Sequence, residues 1–90
     1  MLYAIICLDK PGAIETRKAN RTAHLAHIDG AGGAILQAGP FLDEAGEMCG
    51  SLLIYDGERA DAEAWAAADP YAKAGLFQSV EIRAWKKVVG

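Results

Sequence analysis

The sequence predicts an α+β fold with the element order β-α-β-β-α-β. Three observations carry that expectation. The chain opens on an apolar run, Leu2 to Leu8, and then changes to a long stretch of helical period that ends in glycines. Two further β-rich segments follow close together. A short alanine-rich helix then stops at Asp69-Pro70, ahead of one last alternating segment.

Leu2 to Leu8 is rich in β-formers and too short for a buried helix, so it reads as a central strand with apolar side chains on both faces. Asp9-Lys10-Pro11-Gly12 supplies turn residues. From Ala13 to about Ala31 the period is helical. Ile14, Ala19, Thr22, Leu25, Ala26 and Ile28 are expected on a broad face toward the sheet. Gly30, Gly32 and Gly33 end the helix.

Ala34 to Gly39 reads as the second strand, broken by Gly39-Pro40-Phe41, with a polar loop from Leu42 to Met48. The third strand runs from Cys49 or Gly50 to Tyr55 and forms a hairpin with the second. A second helix is expected from about Ala60 or Asp61, with Asp61 as its N-cap, to Ala68. Asp69-Pro70 ends it, because the residue before proline avoids the helical region. Tyr71 to Ala74 can add a turn, stopped by Gly75. The last strand is expected from Leu76 or Phe77 to Val89. A switch in its alternation near Ala84-Trp85 suggests a bulge or departure from the sheet.

This order is the ferredoxin-like arrangement, an antiparallel sheet with both helices on one face. The strands are apolar on both sides, so the other face needs a cover. One domain spanning residues 1–90 has nothing left to supply it. A homodimer, sheet against sheet, is therefore expected.

Composition narrows the partners. A hydrophobic fraction of 52% is ample for a core and excludes a disordered chain. A net charge of −3 and a pI near 5.2 argue against nucleic acid or an anionic membrane, because phosphate binding needs a basic patch. No run approaches the roughly 18 apolar residues of a membrane span, and the apolar start lacks the marks of a signal peptide. A cytoplasmic protein with a small-molecule ligand is expected. Cys7 and Cys49 are too few for a disulfide framework and lack CxxC spacing for a metal.

The chemistry-bearing stretch is Arg21-Thr22-Ala23-His24-Leu25-Ala26-His27. Residues three and four apart share a helix face, so Arg17, Arg21 and His24 form one polar stripe. Asp69 has two readings. It either caps a helix end, as aspartate before proline commonly does, or meets His24 as a dyad. A carboxylate on one imidazole nitrogen fixes the tautomer and frees the other nitrogen to move protons. Arg21 reads either as an anion anchor or as an ordinary surface arginine, and Arg17 reads as the latter. Ser51 is either a donor to substrate or a strand-edge serine. His27 lacks the third ligand that a metal shared with His24 would need, so no metal or cofactor is expected. Gly39-Pro40-Phe41 shapes a pocket wall. Tyr71, Phe77 and Trp85 either line a pocket for a flat ring or belong to core and interface. Gly30-Ala31-Gly32-Gly33 follows a helix and is rejected as a phosphate loop.

Taken together and in order, Arg21-x-x-His24-Leu25, Ala38-Gly39-Pro40, Gly50-Ser51, Asp69-Pro70-Tyr71, Gly75-Leu76-Phe77 and Ala84-Trp85-Lys86-Lys87 resemble the YCII-related (YciI-like) family over nearly the whole chain. The resemblance implies a ferredoxin-like fold of the dimeric α+β barrel superfamily. It also implies an active-site dyad of His24 and Asp69, and so favours the dyad reading of Asp69. The family includes a dehydrochlorinase acting on a chlorinated hydroxyquinol. The resemblance therefore points to a small cofactor-independent acid/base enzyme, performing elimination or isomerisation on a small anionic metabolite of aromatic or enolisable class. Arg21, Ser51, Gly39, Pro40 and Tyr71 are its candidate substrate-binding residues. A sensor or binding module using the same pocket is the alternative, and a purely structural role is a third.

Overall fold

The computed structural model describes residues 1–90. Strand β1 spans Leu2–Asp9, and two helices follow, α1 (Ile14–Ala19) and α2 (Arg21–Asp29). Strands β2 (Ile35–Leu42) and β3 (Met48–Asp56) form a hairpin. Helix α3 (Arg59–Ala68), the single turn α4 (Pro70–Lys73) and strand β4 (Phe77–Trp85) complete the chain. The sheet order is β2-β3-β1-β4, with every neighbouring pair antiparallel. This is the α+β ferredoxin-like fold expected, the class of the dimeric α+β barrels. No helix is long and apolar enough to cross a membrane.

Alternation along the central strands divides the sheet in two. Tyr3, Ile5 and Cys7 of β1 and Leu53 of β3 face the helices and form the core with Ala62 and Ala66 of α3. Two alanines four residues apart leave α3 a smooth inner face, which lets it close down on the strands. On the other side lie Leu2, Ala4, Ile6 and Leu8 of β1, with Leu52 and Ile54 opposite them on β3. No helix covers that side, and Leu8 and Leu52 remain 48% and 37% exposed.

The strands come unusually close at Gly50. A Cβ there would collide with the Cys7 carbonyl oxygen. Glycine at this position holds β3 against β1 one residue before Ser51.

Several elements differ from expectation for identifiable reasons. The helix predicted from Ala13 to Ala31 is broken at Asn20, whose backbone lies outside the helical region (φ −111°, ψ 7°). Its side-chain amide donates to the Thr16 carbonyl at 2.9 Å, the kind of local bond by which asparagine competes with helix. The face expected to be apolar is mostly turned outward. Ala19, Thr22, Leu25 and Ala26 are exposed, while Arg17 and His24 are buried. Only Ile14 and Ile28 of the expected face are half-buried.

Strand β2 passes straight through Gly39-Pro40-Phe41 instead of breaking there, with Pro40 paired to Ser51. Being the outer strand, it leaves alternate N–H groups unpaired, so proline is tolerated. Helix α3 begins at Arg59 with Glu58 at the cap position, and Asp61 lies inside its first turn. Strand β4 ends at Trp85, not Val89. The irregularity in its pairing lies at Leu8/Asp9, the opposite end from the switch expected near Ala84-Trp85.

Candidate functional site

Asp69 closes α3 and opens α4. Its backbone is extended (φ −58°, ψ 128°), as a following proline requires, and Pro70 occupies the first helical position where its missing N–H costs nothing. The Asp69 side chain accepts the Tyr71 backbone N–H at 2.9 Å. The same carboxylate takes His24 Nδ1 on both oxygens, at 2.9 and 3.0 Å. The two readings of Asp69 are thus both true at once: it caps α4 and meets His24. Asp69 is 2% exposed and His24 6%.

With Nδ1–H donated to the carboxylate, His24 Nε2 is the nitrogen left to act. It makes no hydrogen bond within the protein, and the ring borders a cavity of about 180 Å³. The cavity is lined by Arg17, Arg21, Leu25, Ile28, Ala38, Gly39, Pro40, Met48, Ser51, Leu53 and Tyr71 besides His24. Arg21, Ser51, Gly39, Pro40 and Tyr71, named from the sequence as candidate binding residues, therefore converge on one space. Asp69 stands behind His24, away from the lining. The volume is well below the roughly 300 Å³ at which drug-sized pockets begin, and close to the roughly 150 Å³ that holds a benzene ring.

Tyr71 links the two halves of the site. Its ring stacks on His24 with centroids 4.0 Å apart and planes 15° off parallel. The Arg17 guanidinium lies over the same ring, 4.7 Å from its centroid. Burial pushes the Tyr71 phenol upward; the charges of Arg17 and Arg21 pull it down without cancelling that rise. Phe77 meets Tyr71 edge-on at 6.0 Å but does not line the cavity. Trp85, also considered for a pocket wall, lies at the far end of β4 opposite Leu2.

Arg17 is the residue that the sequence reading passed over. It is 2% exposed, not a surface arginine. Its Nε and Nη2 grip both Asp9 oxygens, at 2.7 and 2.8 Å, and Nη2 also donates to Ser51 Oγ at 3.0 Å. Burial alone would pull the guanidinium down. Hydrogen bonds and charge from Asp9 outweigh that, and the net shift is upward, so the group stays cationic. The sequence did place Arg17 on one stripe with His24, but that spacing crosses the break at Asn20 and includes the exposed Arg21, so it does not settle burial; the partner that draws Arg17 inward is Asp9 at the end of β1. Arg21, by contrast, is exposed at the cavity mouth.

His27 belongs elsewhere. Its Nε2 bonds the Trp65 carbonyl at 2.9 Å and its ring stacks on Trp65 at 4.4 Å. No group of three His, Cys, Asp or Glu side chains converges as a metal site would require. Both cysteines are free. Cys7 lies in the core under the site, and its thiol is pushed up to about 12, first by burial and then by the charge of Asp69.

Comparison with known proteins agrees with this fold. The chain is 39% identical over 97 aligned positions to Protein YciI of Escherichia coli, covering 98% of this chain and 99% of that one. It superposes on 5-chloro-2-hydroxyhydroquinone dehydrochlorinase from Burkholderia phenoliruptrix, a complex with 2,5-dihydroxybenzoquinone, with a TM-score of 0.87. The two are 33% identical, and the match covers 96% of this chain and 94% of the other. A putative antibiotic biosynthesis monooxygenase from Bacteroides thetaiotaomicron shares the fold alone, at TM-score 0.62 and 15% identity over 99% of this chain and 90% of that one. The profile of the YCII-related domain matches residues 1–86, and on that match and these relatives the chain belongs to the YCII-related domain family.

Proposed function

We propose that residues 1–90 form one YciI-like domain that catalyses proton transfer on a small, planar, anionic metabolite, with His24 as general acid or base and Asp69 as its orienting partner. The observation that carries this reading is the pair of carboxylate oxygens on His24 Nδ1, which leaves Nε2 as the free nitrogen of a ring bordering the cavity. In an elimination, Nε2 takes a proton from a ring hydroxyl or acidic carbon. Where the leaving group sits on a saturated carbon, the freed electron pair forms a new double bond as the group departs as an anion; where chlorine sits on a ring carbon, the imidazolium first returns the proton to that carbon, and loss of a second hydroxyl proton then forms a carbonyl as chloride departs. In an isomerisation, the imidazolium returns the proton to a different carbon. Either step needs only a base and a site for negative charge, so neither calls on a cofactor. The likeness to a dehydrochlorinase supports the first form. Gly39 and Pro40 would form the wall, Tyr71 and Ser51 the floor, and Arg21 a positive charge at the mouth.

The active assembly in this reading is a homodimer joined through the uncovered sheet face. Leu52→Glu, placed in the middle of that face, is expected to convert a dimer to a monomer in light scattering coupled to gel filtration.

The direct test is chloride release from 5-chloro-2-hydroxyhydroquinone. Removing a general base typically costs about 10²–10⁴ in rate, so His24→Ala is expected to fall by that factor while the dimer survives. Full activity in both His24→Ala and Asp69→Asn would sink the proposal. Saturable ligand binding without turnover by the unaltered protein would favour the sensor reading.

A further inference from the structure

We propose that Met48 sets the size of the molecule this site accepts. It is the partition between the cavity beside His24 and a second cleft, and a ring carrying an alkyl chain enters only where that partition is cut back. This deepens the catalytic reading above and rests on it for the ring's place beside His24.

The hairpin register aims Met48. Pro40 pairs with Ser51 and Phe41 with Gly50, but Leu42 pairs with Met48. Cys49 is therefore an extra residue on β3 with no partner on β2, a β-bulge. Side chains alternate along a strand, so Leu53 and Ser51 on the helix side would put Cys49 there and Met48 on the uncovered side. The bulge resets that alternation. Phe41 shares the uncovered side with its partner Gly50, so Leu42 and the Met48 opposite it turn to the helix side. Met48 accordingly lines the cavity with Ser51 and Leu53. Re-aiming one side chain beside a site is a recurrent use of bulges.

Beyond Met48 lies a cleft of about 210 Å³. The loop from Lys10 to Ala13 forms one wall, and the hairpin loop at Asp43 and Glu47 forms the other. Met48 is the single residue that borders both spaces. Both walls are tied down. The Lys10 N–H donates to the Leu76 carbonyl at 2.9 Å, and Asp43 Oδ1 accepts the Ala45 and Glu47 N–H groups, each at 2.9 Å. Met48 is half-buried and unbranched, and its thioether holds no partner in place. One side chain therefore limits the length of the cavity, and exchanging it leaves the bonds of both walls intact.

The ligand class follows from the volumes. The cavity of about 180 Å³ takes a single ring. A ring with a linear chain of several carbons needs the cleft as well and has to pass Met48. The unaltered site thus selects phenols with small substituents, and a site shortened at Met48 selects phenols bearing an alkyl chain.

The test reads binding and the path of the chain, not turnover. The full-length protein is titrated calorimetrically with 4-methylphenol, 4-butylphenol and 3-butylphenol. The unaltered protein is expected to bind 4-methylphenol more tightly than either butyl compound. Met48→Ala is expected to reverse that order. Each methylene taken out of water is worth about fourfold in affinity, so the longer chain should gain about tenfold or more for at least one butyl isomer. Met48→Val, which suits a strand, is measured beside it and should shift the order in the same direction. Met48→Leu, of similar volume, should keep the original order. Leu25→Ala trims a residue that borders the cavity but not the cleft, and should keep it too.

Cys49 reports where the chain lies. It is a half-buried free thiol lining the cleft, whereas Cys7 is buried in the core. In Met48→Ala, the tighter-binding butylphenol should slow alkylation of Cys49 by iodoacetamide, and 4-methylphenol should not.

Shortened variants that fold and keep the original order would overturn the proposal. So would a reversal without protection of Cys49, the same reversal in Leu25→Ala, or no binding of 4-methylphenol to the unaltered protein at millimolar concentration. His24→Ala separates the two readings. It should lose turnover and keep the preference for the short substituent, so a failure of the dyad and a failure of the partition give different results.

Discussion

Helix α2 carries two histidines one turn apart, and they show how little a residue's type says about its use. Both rings stack on an aromatic, His24 on Tyr71 and His27 on Trp65. Both spend one ring nitrogen on an oxygen at 2.9 Å. The difference lies in what stands behind and in front. Behind His24 is a buried carboxylate; behind His27 is a backbone carbonyl. In front of His24 is a cavity with two arginines; His27 borders none of it. A carbonyl orients an imidazole, whereas a carboxylate also stabilises the imidazolium that forms when the ring takes a proton. Position on the helix put the two side by side, and tertiary partners set only one of them between a carboxylate and a cavity.

The largest test of this contrast is the pair His24→Ala and His27→Ala. The first should lose about 10²–10⁴ in turnover. The second should keep turnover within a few-fold of the unaltered protein and show its effect in thermal unfolding instead. The lost Trp65 carbonyl bond and ring contact are worth about 1–3 kcal/mol together. A His27→Ala protein that is stable but inactive would break the comparison.

Asp69→Asn sharpens it. Asparagine can still cap α4 through the Tyr71 N–H, so folding should be little affected. It removes the charge that would stabilise an imidazolium and can present the wrong tautomer to His24. Turnover should fall by about 10² or more, while Asp69→Ala should also cost about 0.5–2 kcal/mol of stability for the lost cap. Equal stability for the two variants would argue against the capping role.

The smallest effect is read at Cys7. Its thiol is held near 12 by burial and by the Asp69 charge, against an ordinary value of 9.0. Above pH 9 the unfolded chain releases this proton while the folded chain keeps it, so stability should fall as pH rises from 9 toward 12. Asp69→Asn should lower the Cys7 value, visible as thiolate absorbance appearing at lower pH. His27→Ala should leave it where it is.

Much of this molecule was legible in the sequence because the relevant signals are local. The apolar run of β1, the glycine stops, and Asp69-Pro70-Tyr71 each announce their geometry through backbone preference, whereas the pairing of His24 with Asp69 was left open beside a capping role by the residues alone and was favoured through the family resemblance. Arg17 was not legible in the same way. An inward helix face is usually sought by its apolar residues, and here Ala19 and Ala26 are exposed while Arg17 and His24 are buried. Arg17 stays buried because Asp9, 8 residues earlier at the end of β1, pairs with it, and that contact is tertiary. The break at Asn20 was hidden for a related reason: periodicity reads through one residue whose side chain diverts a carbonyl. Pro40 was misread as a strand breaker because its tolerance depends on β2 being outermost, which is a property of the sheet and not of the segment.

That outer position has a consequence for how relatives of this chain could diversify. The dyad stands on helices that pack against the central strands, whereas Ala38, Gly39 and Pro40 belong to a strand bonded to the rest of the sheet along one side only. Exchanging side chains there reshapes the rim without moving the His24–Asp69 pair or disturbing the core. The architecture separates the part that must stay constant from the part free to change, so selection for a new molecule can act on a single peripheral ribbon.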